Sequence, residues 1–113
     1  MSRVDPANTP SVSVTELPEE AALIDVREDD EWAAGHAPDA VHIPLGELPQ
    51  RLAELPDGEL YLVCRSGGRS GQAAAYLTAN GRSAINVAGG MQSWASAGKR
   101  MVGERGDTPP AVL

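Results

Sequence analysis

The chain has one cysteine, Cys64, and no phenylalanine. A lone cysteine excludes an internal disulfide framework, and a reactive thiol persists best where thiols are kept reduced, which points inside the cell. With no Phe, two Trp and two Tyr, the core must be built mainly from Ala, Val, Leu and Ile. Long apolar runs are missing too. Nothing approaches the roughly 20 residues of a membrane span, and the opening "MSRVDPANTPSVSV" has no apolar stretch of signal-peptide length. The expectation is a soluble, cytoplasmic protein. Basic residues are in the minority, nine against sixteen acidic, for a formal net charge of -7. A molecule so charged repels nucleic acid and anionic membrane surfaces, so neither is expected as a partner.

What is present fits one folded domain: 113 residues, 42% hydrophobic and 22% charged, make a globular chain too short for two comfortable cores. Residues 1–11 and 103–113 are polar and punctuated by proline. They read as an N-terminal polar segment and a C-terminal tail around a domain over 12–102. Within it, β-prone runs alternate with helix-like stretches. "SVSV" (11–14), "AALIDVR" (21–27), "AVHIP" (40–44), "ELYLVC" (59–64) and "SAINVA" (83–88) predict strands, the fourth buried on both faces. "DDEWAAG" (29–35) predicts a short helix opened by acids, and "GELPQRLAEL" (46–55) places Leu48, Leu52 and Leu55 at helical spacing. "SGQAAAYLTANG" (70–81) predicts a helix with a Ser start and a Gly stop, and "GGMQSWASAG" (89–98) a last short one. Strands separated by helices imply parallel crossovers and a three-layer α/β/α sandwich. In such a sheet ligands sit beyond the carboxyl ends of the strands, where the winding reverses. Cys64 closes the strongest strand, so topology alone puts its thiol at that rim.

The six residues after Cys64 are Arg65, Ser66, Gly67, Gly68, Arg69 and Ser70. A backbone tightening through two glycines into a helix can turn several N–H groups toward one point, an anion cradle. The helix start and two guanidinium groups add positive potential, conditions that favour thiolate over thiol. An isolated cysteine more often serves as a small buried hydrophobe. These neighbours favour a nucleophile instead.

Three segments resemble the rhodanese-like domain family of sulfurtransferases: "LIDVREDDEWAAGHAPDAVHIPL" (23–45), "CRSGGRS" (64–70) and "NVAGGMQSW" (86–94). The resemblance implies a five-stranded parallel sheet in the order 3-2-4-5-1, with Asp25 to Arg27 and Cys64 meeting at one crevice. It also implies that Cys64 carries sulfur as a persulfide, taken from a small anionic donor such as thiosulfate and passed to a thiol or protein acceptor. Cys-based phosphatases need an arginine six positions after the cysteine. Arg69 is five positions after, one residue short, which suits a sulfur atom bound ~2.05 Å beyond Sγ. Residues 65–70 would bind the donor and stabilise the persulfide, with Arg69 and Arg65 as the docking cations. Asp25 and Arg27 either support the loop from behind or form a structural pair. His36 and His42, with no second cysteine, do not make a metal site, and neither metal nor cofactor is expected. The resemblance gives His36 a fold-organising hydrogen bond. Trp32 and Trp94 read as core residues, and the acidic clusters at 16–20 and 28–31 as solvated helix faces. A non-catalytic or redox-sensing module, and a Cys-based phosphatase or arsenate reductase, are the alternative readings.

Overall fold

In the computed structural model, five runs rich in Val, Ile and Leu form the strands β1 (Ser11–Val12), β2 (Ala22–Asp25), β3 (Val41–His42), β4 (Leu60–Val63) and β5 (Ala84–Val87). The structure describes residues 10–104 and 109–113; residues 1–9 of the N-terminal segment and 105–108 of the tail lie outside the described residues. The strands lie in the order β1-β5-β4-β2-β3, and every neighbouring pair is parallel. Read from the other edge, this is the order 3-2-4-5-1. The chain moves outward from β2 to β3 and then returns to place β4 on the other side of β2, so the winding reverses between β2 and β4.

β4 explains why helices cover both faces. Alternate side chains of a strand point to opposite sides, and all four of its residues are buried. Leu60 and Leu62 pack with Ile24, Ala73, Ala74 and Leu77, whereas Tyr61 and Val63 pack with Leu23, Val87, Met91 and Trp94. The Ala-rich α2 (Gly68–Ala79) supplies the first face and α3 (Gly90–Ser96) the second. Small Ala side chains let α2 lie close to a sheet with no large aromatic beneath it. A third helix, α1 (Asp29–Ala34), follows β2 and has three acids in its first turn, where negative charge suits the exposed N–H groups.

Three elements differ from the sequence expectation. The stretch after β3 is two 3₁₀ segments, Leu45–Gln50 and Leu52–Glu54, because Pro49 has no N–H to give and its ring obstructs an α-turn. The leucine spacing still works, since Leu48 and Leu55 are buried and Leu52 packs partly against the core. The first strand is shorter than "SVSV": Val14 opens a 3₁₀ turn, Val14–Glu16. Finally, α2 starts at Gly68, before the predicted Ser70, because Gly67 takes a left-handed conformation (φ 116) as its N-cap.

The described part of the C-terminal segment lies against the end of α1. Glu104 N–H donates to Ala33 O and Ala111 N–H to Ala34 O, each at 2.9 Å, while Val112 packs on the α3 side of the core. Among the described residues, no helix is long and apolar enough to cross a membrane.

Candidate active site

Cys64 directly follows β4, beside the C-terminal end of β2. Its Sγ accepts the Gly67 N–H at 3.1 Å and the Ser70 hydroxyl at 3.3 Å. The outer side of the loop is held by α3, whose Met91 N–H donates to Cys64 O at 2.8 Å and Gln92 N–H to Arg65 O at 3.0 Å. A trans peptide is planar, so a carbonyl turned toward α3 turns the next N–H the other way, toward the sulfur. That is how Ser66 N–H joins Gly67 and Ser70 around Sγ.

The close approach of α3 explains the second glycine of "AGGM". Gly90 has φ 55, and a Cβ there would meet Cys64 O at 2.3 Å. No other residue type fits between α3 and the loop.

Burial is the largest single influence on the Cys64 thiol and would push its pKa up. The Ser70 hydroxyl and the N–H groups of Ser70, Gly67 and Ser66 act the other way and together prevail, so the thiol pKa is lowered. The side chain is only 1% exposed, yet Arg65, Ser66 and Gly68 around it are exposed. The sulfur is a buried atom that accepts hydrogen bonds from the Gly67 N–H and the Ser70 hydroxyl.

Other predicted residues are placed less simply. Arg69 belongs to the loop, but its guanidinium meets Glu31 of α1 end-on, NH1 to Oε1 at 2.7 Å and NH2 to Oε2 at 2.9 Å. Arg65 is exposed and has no side-chain hydrogen bond among the described residues. Asp25 reaches the site's edge but gives both carboxylate oxygens to Arg27, with Arg27 NH2 at 2.8 Å and Arg27 Nε at 3.0 Å. Arg27 also donates to Gly35 O at 2.8 Å. Both side chains are fully buried, and the pair ties β2 to the end of α1.

Two contributors escaped the sequence reading. Asn86 of β5 accepts the Ser70 hydroxyl at 2.6 Å and donates Nδ2 to Gly67 O at 3.1 Å, bracing the loop from the neighbouring strand. The available signal was an amide in an otherwise apolar strand. Glu31 is the second: its place among four consecutive acids suggests a solvated face, whereas its side chain is 15% exposed and pinned to Arg69. The Arg69 hydrogen bonds hold its carboxyl at a pKa of about 2, and Glu31 in turn raises that of Arg69. Trp32 also departs from a simple core role. Half-buried, it is stacked between the imidazoles of His36 (centroids 3.5 Å apart) and His42 (4.7 Å). His36 is buried, with Nδ1 3.1 Å from Ala37 O and Nε2 2.8 Å from Glu104 Oε2.

A groove of about 590 Å³, lined among others by Leu17, Leu23, Trp94 and Lys99, lies at the opposite rim, where the strands begin. Cys64 takes no part in it. Among the described residues no three His, Cys, Asp or Glu side chains are grouped as a metal site.

A family model described as "Rhodanese-like domain" matches residues 13–97. The chain belongs to the rhodanese-like domain family. A sulfurtransferase of Allochromatium vinosum is 40% identical over 90 residues, covering 78% of this chain and 84% of that protein. YtwF of Bacillus subtilis is 48% identical over 80 residues, covering 70% and 78%. The crystal structure of a rhodanese-related protein from Thermoplasma volcanium superposes with a TM-score of 0.77 at 31% identity, covering 82% of this chain and 97% of that one. The Allochromatium relative is named a sulfurtransferase and YtwF a putative one, and a cysteine loop at the sheet's winding reversal is compatible with that chemistry.

Proposed function

We propose that this rhodanese-like protein carries a sulfane sulfur as a persulfide on Cys64, taking it from a small anionic donor, of which thiosulfate is the simplest, and passing it to a thiol or protein acceptor. The observation that carries this reading is the convergence of the Gly67 N–H and the Ser70 hydroxyl on Cys64 Sγ, with the Ser66 and Ser70 N–H groups also favouring its ionised form. Such donors stabilise a thiolate before attack and a persulfide anion after it, since the charge moves only ~2.05 Å outward. In the first step the thiolate attacks the outer sulfur of the donor. A new Sγ–S bond forms as the donor's S–S bond breaks, and thiosulfate leaves as sulfite. In the second step an acceptor thiolate, or cyanide in an assay, takes the outer sulfur and returns Cys64 as thiolate. Each is a displacement at sulfur, with no net oxidant or reductant.

The test is thiocyanate formation from thiosulfate and cyanide, read beside intact-protein mass spectrometry after donor alone. The expected result is turnover together with a mass gain of one sulfur atom on Cys64, both lost in Cys64→Ser. Turnover that survives Cys64→Ser refutes the proposal. Phosphate release from a phosphate ester would favour a phosphatase, and no activity with any substrate would favour a binding module.

A further inference from the structure

The loop has two cations, but one is already spoken for. Glu31 fills the end-on face of Arg69 with two short hydrogen bonds, which is the arrangement a bidentate oxyanion would otherwise use. Arg69 keeps other N–H groups, but its charge is matched. The rest of this rim is acidic: Glu28, Asp29 and Asp30 lie exposed at the start of α1, immediately after β2, and Glu28 acts on Arg69 across the gap. Arg27, also at this end of β2, is buried and paired with Asp25. Among the described residues, Glu31 and Glu28 therefore offset the guanidinium charge of Arg69, beside a thiolate that is itself negative. A doubly charged donor meets a poor electrostatic match there, and a singly charged one is penalised about half as much.

Building on the persulfide reading above, we propose that Glu31 is a specificity-determining residue: by occupying Arg69, it turns the loop from a dianion clamp into a site for sulfane-sulfur donors that bear one negative charge, such as organic thiosulfonates. Transfer from a thiosulfonate is balanced. Cys64 thiolate bonds to the outer sulfur, the bond from that sulfur to the sulfonyl sulfur breaks with its electron pair, and a sulfinate departs. One negative charge leaves on the sulfinate and one stays on the persulfide. Cyanide then removes the outer sulfur as thiocyanate and restores the thiolate.

The experiment compares thiosulfate, a dianion, with benzenethiosulfonate, a monoanion, both read as thiocyanate. Because the two donors differ in intrinsic reactivity, the informative quantity is the ratio of their kcat/KM values, variant against wild type. Glu31→Gln, whose Oε1 can still accept the Glu28 N–H, should raise the thiosulfate to benzenethiosulfonate ratio by about tenfold, the order expected for one unit of charge roughly 10 Å away at an effective dielectric of about 20. The change should fall mainly on the KM for thiosulfate. Glu31→Asp, which keeps the charge, should largely restore the wild-type ratio. Glu20→Gln, which alters net charge equally at an exposed position on the opposite rim, should leave it unchanged.

A lower or unchanged ratio in an active, folded Glu31→Gln protein overturns the proposal and leaves the sulfurtransferase reading intact. A second measurement needs no substitution. In the wild type, added salt should raise kcat/KM for thiosulfate relative to benzenethiosulfonate, because screening relieves repulsion. A relative fall would mean docking on an uncompensated guanidinium and would also overturn it. If the wild type makes thiocyanate from neither donor and Cys64 gains no sulfur, the sulfurtransferase reading fails and takes this proposal with it.

Discussion

Ser70 has one hydroxyl hydrogen and two acceptors, Asn86 Oδ1 at 2.6 Å and Cys64 Sγ at 3.3 Å. It can serve a thiolate fully only by releasing Asn86, and Asn86 keeps its own place through Gly67 O. Ser70→Ala removes the hydroxyl and leaves the backbone N–H groups. The apparent pKa of the thiol, followed as the pH dependence of alkylation by iodoacetamide, should then rise by roughly one unit, the scale of one hydrogen bond to a charged group. No rise would mean that the amides alone set the ionisation. At this scale the sequence was partly legible. Cys64 and its loop stood out because small and basic residues crowd into six consecutive positions. Glu31 and Asn86 did not, since Glu31 meets Arg69 across 38 positions and Asn86 meets Ser70 across 16. Only folding brings such pairs together. The Asp25 to Arg27 pair is two positions apart, yet the sequence left its role open, because spacing does not say which way a carboxylate turns.

Among the elements, α3 has the least obvious duty. It has seven residues, and its first N–H groups hold the carbonyls that orient the cysteine loop. Gly90→Ala should therefore damage the site more than the fold. The added methyl group collides with the Cys64 and Arg65 backbone and forces φ 55 on a residue that resists it. We expect sulfur transfer to drop by at least about tenfold, as for the loss of one well-placed donor to a developing anion. Melting temperature should fall by about 5 °C or more, since strain of this kind costs about 1–3 kcal/mol. Full activity in Gly90→Ala would show that the loop holds its shape without α3. Element types were readable where periodicity was strong, as in β4 and α2. They were misread between Leu45 and Glu54, where leucine spacing argued for one α-helix and the ring of Pro49 imposed two 3₁₀ segments. The left-handed N-cap of α2 was foreshadowed by Gly67, although its position relative to Ser70 was not.

For the molecule as a whole, parallel crossovers follow from the alternation of strands and helices, but the strand order came from the family resemblance. Nothing in the residues of β1 and β5 says that they pair. The bridge between α1 and the loop should also show in the acid stability of the entire fold. Glu31 has a pKa of about 2 in the native state against an ordinary 4.5, so between these values the unfolded chain binds more protons. Its contribution is fully present above about pH 4.5 and is lost as pH falls toward 2. Melting temperature plotted against pH should therefore decline less steeply across this window in Glu31→Gln than in the wild type, and parallel curves would refute that assignment. The same helix also has a built-in optical probe. Indole emission is sensitive to groups stacked on the ring, and Trp32 is sandwiched between two imidazoles one residue along from Glu31. Fluorescence from this tryptophan, separated from that of Trp94 by a Trp94→Phe background, would report whether α1, bridged to Arg69 through Glu31, shifts when sulfur is loaded.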